Sequence, residues 1–254
     1  MNNINNIEDI IKLILITDNI ETDTITESNI TIPIYDISAE EFLNYAKNSI
    51  TKETKEDIIN AISNLKRALD CKMDQFFESL NIRKIFKKNN LKFEQKTKFL
   101  SDIELISTYS INKLNQIRNK MEHEYKIQKI NDLYTYYELV SNIIKTIDLY
   151  LELLYINGKI NMTLNIKNNQ YYFIVEYNIE ECGFEIELIE WDKRPYGHRK
   201  TITIYLDNKE STNNFIKTFK LYFLTIQYFY YQNITLYKEQ INKLLEKTEV
   251  LWND

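Results

Sequence analysis

The stretch LELLYINGKINMTLNI, residues 151–166, decides the fold class, because the spacing of its apolar residues changes in the middle. Up to Tyr155 the apolar residues recur every three or four positions, which is typical of a helix. From Lys159 onward apolar and polar residues alternate, which is typical of a half-buried strand. Asn157 and Gly158 are common turn residues and mark the change. We therefore expect an α+β protein, mostly α, in which helices precede this point and a sheet follows it.

Before the change, the spacing predicts an antiparallel bundle of four helices with short links. Ser38 is a candidate N-cap, and Glu41 follows it at the spacing of a capping box. The second helix is the clearest, since one apolar face continues for about eight turns. The four helices are expected after Ser38, after Thr51, from about Phe99 or Ser110, and from about Asp132 to Tyr155.

After the change, the alternation predicts a four-stranded antiparallel meander followed by C-terminal helices. The strands are expected at Lys159 to Ile166, Tyr171 to Ile179, Phe184 to Trp191 and Thr201 to Leu206. Helical spacing returns at Ser211, and Asn233 is a break or a cap. The expected organisation is an N-terminal extension (residues 1–37), the helical bundle (38–157), and the sheet with its C-terminal helices (158–254).

Composition and charge exclude several classes of protein. With 44% hydrophobic and 27% charged residues, the 254-residue chain is expected to fold into a globular protein. A net charge of −5 argues against a protein that coats nucleic acid through bulk charge. Cys71 and Cys182 are unrelated in position, which predicts a reduced protein without a disulfide framework or a metal site. Neither a signal peptide nor a membrane span is expected, so we predict a cytoplasmic location.

A basic segment lies between Arg83 and Lys98 and has only one acidic residue, Glu94. Such a segment is either a solvated connection or a surface that faces nucleic acid. Lys84, Lys87 and Lys88 are the candidate RNA-binding residues within it.

The third helix carries the stretch RNKMEHEY, residues 118–125, which includes one of only two histidines in the chain. Arg118 and Glu122 lie at the edge of the buried stripe, and Asn119 and His123 continue the same arc, so we expect these polar residues to adjoin the core. An ordinary helix pair of Arg118 and Glu122 is the structural alternative. The predicted buried stripe consists of Ile111, Leu114, Ile117, Met121 and Tyr125.

This stretch resembles the Arg-x4-His-x-Tyr signature of HEPN domains, the "higher eukaryotes and prokaryotes nucleotide-binding" helical bundles. Arg118, His123 and Tyr125 match the three signature positions, and Asn119 matches the polar residue that often follows the arginine. The preceding helix contains Asn-Leu-Lys-Arg-Ala-Leu-Asp (Asn64 to Asp70), which also looks like HEPN helices. The resemblance covers about residues 38–155 and implies a metal-independent endoribonuclease, without a cofactor, that acts as a toxin or in defence against phage.

The chemistry of these residues fits that implied activity. Cleavage of RNA by its own 2′-hydroxyl needs a base, a cation beside the phosphate and an acid for the leaving oxygen. His123 can take either acid-base role near neutral pH, and the planar guanidinium of Arg118 suits a phosphate. Asn119 would orient the phosphate or His123, and Glu122 would hold Arg118. Lys120 and Lys126 are further candidate RNA contacts.

The resemblance also implies partners. HEPN ribonucleases have composite sites, and a single well-placed histidine per chain fits a homodimer in which two copies form one cleft. Tyr125 is either a core residue or, as in HEPN toxins with this signature, a target of a nucleotidyltransferase-type antitoxin. His198 lies in a predicted hairpin loop and is either a loop residue or a contact for RNA or a partner. The alternative function is a non-catalytic interaction or nucleotide-sensing subunit of a toxin-antitoxin or defence complex.

Overall fold

The computed structural model describes residues 4–52, 54–82, 92–126, 133–191, 199–205 and 209–246. Within them the chain is a mixed α+β protein rich in helix, as the sequence predicts. It divides into two compact units. The sheet unit comprises Met1–Ile30 and Leu154–Asp254, and the helical unit comprises Thr31–Leu153.

The described helices and strands follow in chain order. They are α1 (Ile7–Leu15), β1 (Asn19–Thr26), α2 (Ala39–Ile50), α3 (Lys55–Ser79), α4 (Phe93–Asp102), α5 (Tyr109–Glu124), α6 (Leu133–Ile156), β2 (Lys159–Ile166), β3 (Asn169–Asn178), β4 (Gly183–Trp191), β5 (Arg199–Tyr205), α7 (Lys209–Tyr231), α8 (Ile234–Asn242) and a 3₁₀ turn (Lys243–Leu245).

The sheet unit contains five described strands, in the order β1-β2-β3-β4-β5, and each neighbouring pair is antiparallel. The four predicted strands correspond to β2 to β5, but the predicted four-stranded sheet lacked β1. Residues 1–37 are likewise not a separate extension, because β1 pairs along β2 from Asn19↔Asn165 to Thr26↔Lys159. The partner of β1 comes much later in the chain, so local spacing could not reveal it.

One face of the sheet is covered by α7 through aromatic residues. The ring of Phe184 on β4 lies 5.3 Å from Phe215, 5.7 Å from Phe219 and 5.5 Å from Tyr222, measured between ring centroids. Such edge and tilted contacts add to the stabilisation from the apolar area that these rings bury. Helix α1 also packs against α7 and α8, and it buries Ile7, Ile10, Ile11 and Ile14.

The turn at Asn157 and Gly158 has close neighbours. The Gly158 N–H donates to the Thr26 carbonyl at 2.6 Å, and the Ser28 N–H donates to the Tyr155 carbonyl at 2.9 Å. A Cβ on Gly158 would lie 2.5 Å from the Cα of Ser28, which leaves no room for a side chain. A glycine is therefore required here by the close approach of two backbones.

The helical unit begins with two capped helices. The Ser38 hydroxyl accepts a hydrogen bond from the Glu41 N–H, and the Ser38 N–H donates to the Glu41 carboxylate, so the predicted capping box is confirmed. Helix α3 spans 25 residues, about seven turns, and packs against α2, α4 and α5. Its buried face carries the predicted residues Ile62, Leu65, Leu69, Met73 and Phe76.

The predicted third helix is divided into α4 and α5. Between them Glu104 adopts a left-handed conformation with φ of 61°, and the Leu105 N–H donates a hydrogen bond to the Leu100 carbonyl. This turn closes α4 with backbone hydrogen bonds before α5 begins at Tyr109. The two proposed starting points, Phe99 and Ser110, therefore fall in two different helices.

Candidate functional site

Helix α5 carries the candidate residues and is held by an apolar stripe. Ile111, Leu114, Ile117 and Met121 are buried, at 0 to 7% exposure, as the spacing predicts. Because the helix packs against α3 through this stripe, the polar side chains next to it have a defined direction.

Arg118 is half-buried and already has two partners on its own helix. Its Nη2 forms an ion pair with the Glu122 carboxylate, and its Nη1 donates to Asn119 Oδ1 at 3.3 Å. The i,i+4 pair predicted from the sequence is therefore present, although arginine preceding glutamate is the less favourable order. With side chains 27% and 36% exposed, such a pair contributes only about 0.3 to 0.5 kcal/mol. Its main effect is to hold the guanidinium beside Asn119.

His123 lies one turn beyond Asn119 on the same face of α5. It is exposed, as is Glu122, whereas Arg118 and Asn119 are half-buried. All four polar residues were expected to adjoin the core. This expectation is right for Arg118 and Asn119 and wrong for Glu122 and His123. No group in the described part of the chain forms a hydrogen bond or ion pair with the imidazole side chain of His123.

Tyr125 was expected in the buried stripe, and this prediction is wrong. Helix α5 ends at Glu124, and Tyr125 follows with φ of 56°, so its side chain leaves the line of the stripe. It is 89% exposed. The periodic pattern did not reveal the end of the helix because tyrosine is an uncommon residue for a left-handed C-cap, where glycine or asparagine is usual.

Two candidate lysines lie at the end of α5. Lys120 is exposed, and its carbonyl accepts from the N–H of Tyr125 and, at 3.4 Å, from that of Lys126. The side chain of Lys126 is 73% exposed and lies 3.1 Å from the Glu124 carboxylate. Lys120 and Lys126 therefore both lie at the surface, within three residues of His123 in the sequence.

The other candidate residues, Lys84, Lys87, Lys88 and His198, lie outside the described residues.

Lys96, at the other end of the basic segment, does not face solvent. Its Nζ lies 2.8 Å from Asp70 and 2.7 Å from Asp74, both on α3. Burial works to lower the pKa of Lys96, but the hydrogen bonds to Asp70 and Asp74 outweigh it and the pKa is raised. This lysine joins α4 to α3 rather than forming part of a basic surface.

Sequence reasoning missed Asn115, which lies one turn before Asn119. Asn115 is 6% exposed, and its Nδ2 donates to the Glu94 carboxylate on α4 at 2.7 Å. The sequence feature that could have indicated a role for Asn115 is the position of this polar residue beside the apolar stripe of α5. Its partner could not be identified because Glu94 is 21 residues away along the chain.

The described part of the chain contains neither a candidate metal site nor a candidate membrane span. Among the residues that the structure describes, no three His, Cys, Asp or Glu side chains are grouped so that they could hold a metal ion. None of the described helices combines the length and the apolar character needed to cross a bilayer. Neither Cys71 nor Cys182 forms a disulfide.

Comparison with family models, curated proteins and solved structures finds no match to this chain. What the site can do follows from its own side chains. A guanidinium held beside an amide can bind an anion such as a phosphate. An exposed imidazole one turn away can accept or donate a proton.

Proposed function

We propose that this protein is an endoribonuclease in which Arg118, Asn119 and His123 act on the scissile phosphate of RNA. The observation that carries the proposal is their arrangement on the last two turns of α5. Arg118 is held against Asn119 by Glu122, and His123 follows Asn119 on the same face and is open to a large substrate. The likeness of residues 118–125 to the HEPN signature points to the same chemistry.

In the proposed reaction the 2′-oxygen of a ribose attacks the adjacent phosphorus, and the bond from phosphorus to the 5′-oxygen breaks. A base removes the proton from the 2′-hydroxyl, and an acid protonates the leaving 5′-oxygen. The products are a 2′,3′-cyclic phosphate and a 5′-hydroxyl. Arg118 would stabilise the charge of the phosphorane, His123 would transfer a proton, and Asn119 would orient the phosphate.

A second copy of the chain would complete this site. One His123 can serve as the base or as the acid in a given step, whereas in-line transfer uses both at opposite sides of the phosphorus. A two-fold dimer that brings two α5 helices together would supply two histidines and two arginines. The exposure of His123 and Lys120 in the single chain is compatible with such an interface.

The proposal extends to fold family and biological role. We propose that α2 to α6 form a HEPN-like bundle. We also propose that the protein acts in the cytoplasm as a toxin or an abortive-infection effector. Tyr125, which is 89% exposed, is accessible enough to be modified by a nucleotidyltransferase-type antitoxin, as in HEPN toxins with this signature. Lys120 and Lys126 would contact the RNA backbone through their charges.

The first experiment compares RNA cleavage by the wild-type protein, His123→Ala and Arg118→Ala in the presence of EDTA. We expect the wild type to leave a 2′,3′-cyclic phosphate, and each variant to lose roughly 10² to 10⁴-fold in rate, because each removes an acid-base group or a phosphate contact. Asn112→Ala, exposed on the first turn of α5, is the matched control and should cleave normally. Circular dichroism checks that all the variants are folded. Equal cleavage by all four proteins would refute the proposal.

A non-catalytic role is the alternative, and one observation favours it. Arg118 already has Glu122 and Asn119 as partners, so part of its hydrogen-bonding capacity is used within the helix. In that case the signature residues would be structural or would bind a nucleotide in a larger complex. Expression of wild type and His123→Ala in growing cells separates the two functions: growth arrest that persists in the variant favours the non-catalytic role.

A further inference from the structure

A buried amide connects the candidate helix to its neighbour α4. Asn115 is 6% exposed, and its Nδ2 donates to Glu94 Oε1 at 2.7 Å. A buried amide without a hydrogen-bond partner is costly, so this contact restricts the rotations of α5 that the unit tolerates. The apolar stripe alone would permit small rotations, since aliphatic side chains can repack.

Helix α4 is well fixed, so Glu94 is presented from a stable position. Lys96 joins it to Asp70 and Asp74 on α3. The rings of Phe99 and Phe77 contact at a centroid distance of 5.2 Å. Ionic and aromatic contacts from the same ten-residue helix therefore hold the carboxylate that Asn115 binds.

Asn115 shares a helix face with the candidate site. It precedes Arg118 by three positions and Asn119 by four, so the three side chains lie along one side of α5. A rotation that broke the contact with Glu94 would also turn Arg118 and Asn119 away from their present direction, and His123 would turn with them.

We propose that Asn115 and Glu94 are positioning residues that set the rotation of α5 and thereby aim Arg118, Asn119 and His123. This inference rests on the proposed function of that helix. Neither residue touches the substrate. Their effect on the reaction is exerted through the direction of the three side chains, and a misplacement of about 1 Å can cost up to 10²-fold in rate.

The test uses two substitutions of Glu94 in the full chain. Glu94→Ala removes the acceptor of Asn115, whereas Glu94→Gln replaces the carboxylate oxygen with an amide oxygen that can still accept the hydrogen bond. We expect Glu94→Ala to lower kcat for RNA cleavage about tenfold with KM changed by less than about twofold, because positioning acts on the chemical step. Glu94→Gln should keep kcat near the wild-type value.

Lys98→Ala is the matched control on the same helix. Lys98 pairs with Asp102 within α4, and its side chain is 38% exposed. Its removal should leave kcat unchanged. A double variant, Glu94→Ala with Asn115→Leu, removes both polar groups. It keeps the test valid if the single alanine variant is unstable, and it should have the same low kcat, since an apolar pair does not define the rotation.

Amide hydrogen exchange of residues 119–124 gives a readout that does not depend on activity. We expect faster exchange there in Glu94→Ala, unchanged exchange in α2, and wild-type exchange in Glu94→Gln and Lys98→Ala. If the wild type does not cleave RNA but this selective change is seen, the positioning role stands and the proposed function fails. Unchanged exchange in Glu94→Ala, or equally faster exchange in α2, would overturn the positioning role.

Discussion

Asp70 is one of the residues that join α3 to α4, through its ion pair with Lys96. Its two carboxylate oxygens lie 2.7 Å from Lys66 Nζ and 2.8 Å from Lys96 Nζ. Burial works to raise the pKa of Asp70, but the hydrogen bonds from Lys66 and Lys96 outweigh it, so the pKa is lowered. The charged form of Asp70 is therefore favoured by folding.

We predict that Asp70→Asn lowers the free energy of unfolding by about 1 to 3 kcal/mol at pH 7, since a charge-assisted hydrogen-bond acceptor is lost and Lys96 stays largely buried. The pKa of Asp70 is lowered in the folded state, so its contribution is present above the unfolded value of about 3.9 and is lost as pH falls through the folded value. The difference between variant and wild type should accordingly shrink in acid.

Urea unfolding at several pH values measures this difference. The control is Asp102→Asn, which breaks an i,i+4 pair with Lys98 inside α4 and should cost about 0.5 kcal/mol or less. An Asp70 effect that stayed constant down to pH 2 would contradict the ionic explanation.

At the scale of single residues, sequence reasoning identified contacts within one helix and missed contacts between helices. The pair of Arg118 and Glu122 follows from i,i+4 spacing and was predicted. The bond from Asn115 to Glu94 depends on how two helices pack, and helical spacing does not contain that information. The exposure of Tyr125 depends on one backbone angle at the end of α5.

At the scale of elements, the capping box of α2 offers a direct test of local stability. Ser38 Oγ accepts from the Glu41 N–H at 3.2 Å, and the Ser38 N–H donates to Glu41 Oε2 at 2.8 Å. We predict that Ser38→Ala lowers the free energy of unfolding by about 1 kcal/mol, because an N–H at the start of the helix loses its acceptor. Ser38→Gly should cost only about a few tenths of a kcal/mol.

Thermal or urea unfolding followed by circular dichroism measures these effects. Ser49→Ala is a suitable control on the same helix, because the Ser49 hydroxyl donates a hydrogen bond to the Tyr45 carbonyl one turn earlier and does not cap the helix. That hydrogen bond is slightly unfavourable for a helix, so the substitution should be neutral or mildly stabilising. If Ser38→Ala and Ser49→Ala lowered the free energy of unfolding by similar amounts, the loss could not be attributed to the capping box.

Elements with strong local signals were predicted well. Strand β2 was predicted at its observed bounds, and Asn233 is the N-cap of α8, with its side chain accepting from the Leu236 N–H at 3.0 Å. Strand β1 was not assigned to the sheet, because its threonines and isoleucines are compatible with any extended segment. Only its long-range pairing with β2 shows that it is part of the sheet.

At the scale of the whole molecule, the proposed ribonuclease site predicts complementation between two inactive variants. Purified His123→Ala and Arg118→Ala are each expected to be inactive. If the site is composite, subunit exchange between them should restore a small part of the activity. A mixed dimer contains one intact His123 and one intact Arg118, whereas each homodimer lacks one of these two side chains entirely. The recovered activity should rise with the fraction of mixed dimer.

The measurement is RNA cleavage after the two variants have been mixed and incubated, with the oligomeric state followed by light scattering. The control mixes His123→Ala with the double variant that lacks both side chains, which cannot supply a histidine and should stay inactive. A monomeric wild type that cleaves RNA would show that each chain carries its own complete site.

The pairing of β1 with β2 has a consequence for how the protein is made. The ribosome completes β1 first, then the whole helical unit, and only afterwards β2. At usual elongation rates of about 5 to 20 residues per second, the interval is on the order of ten seconds. During this interval the isoleucine face of α1 lacks the helices α7 and α8, and the edge of β1 lacks β2; nascent chains with such exposed surfaces are prone to aggregate. Because β1 is synthesised well before β2, it can form its native pairing only after the whole helical unit has been made.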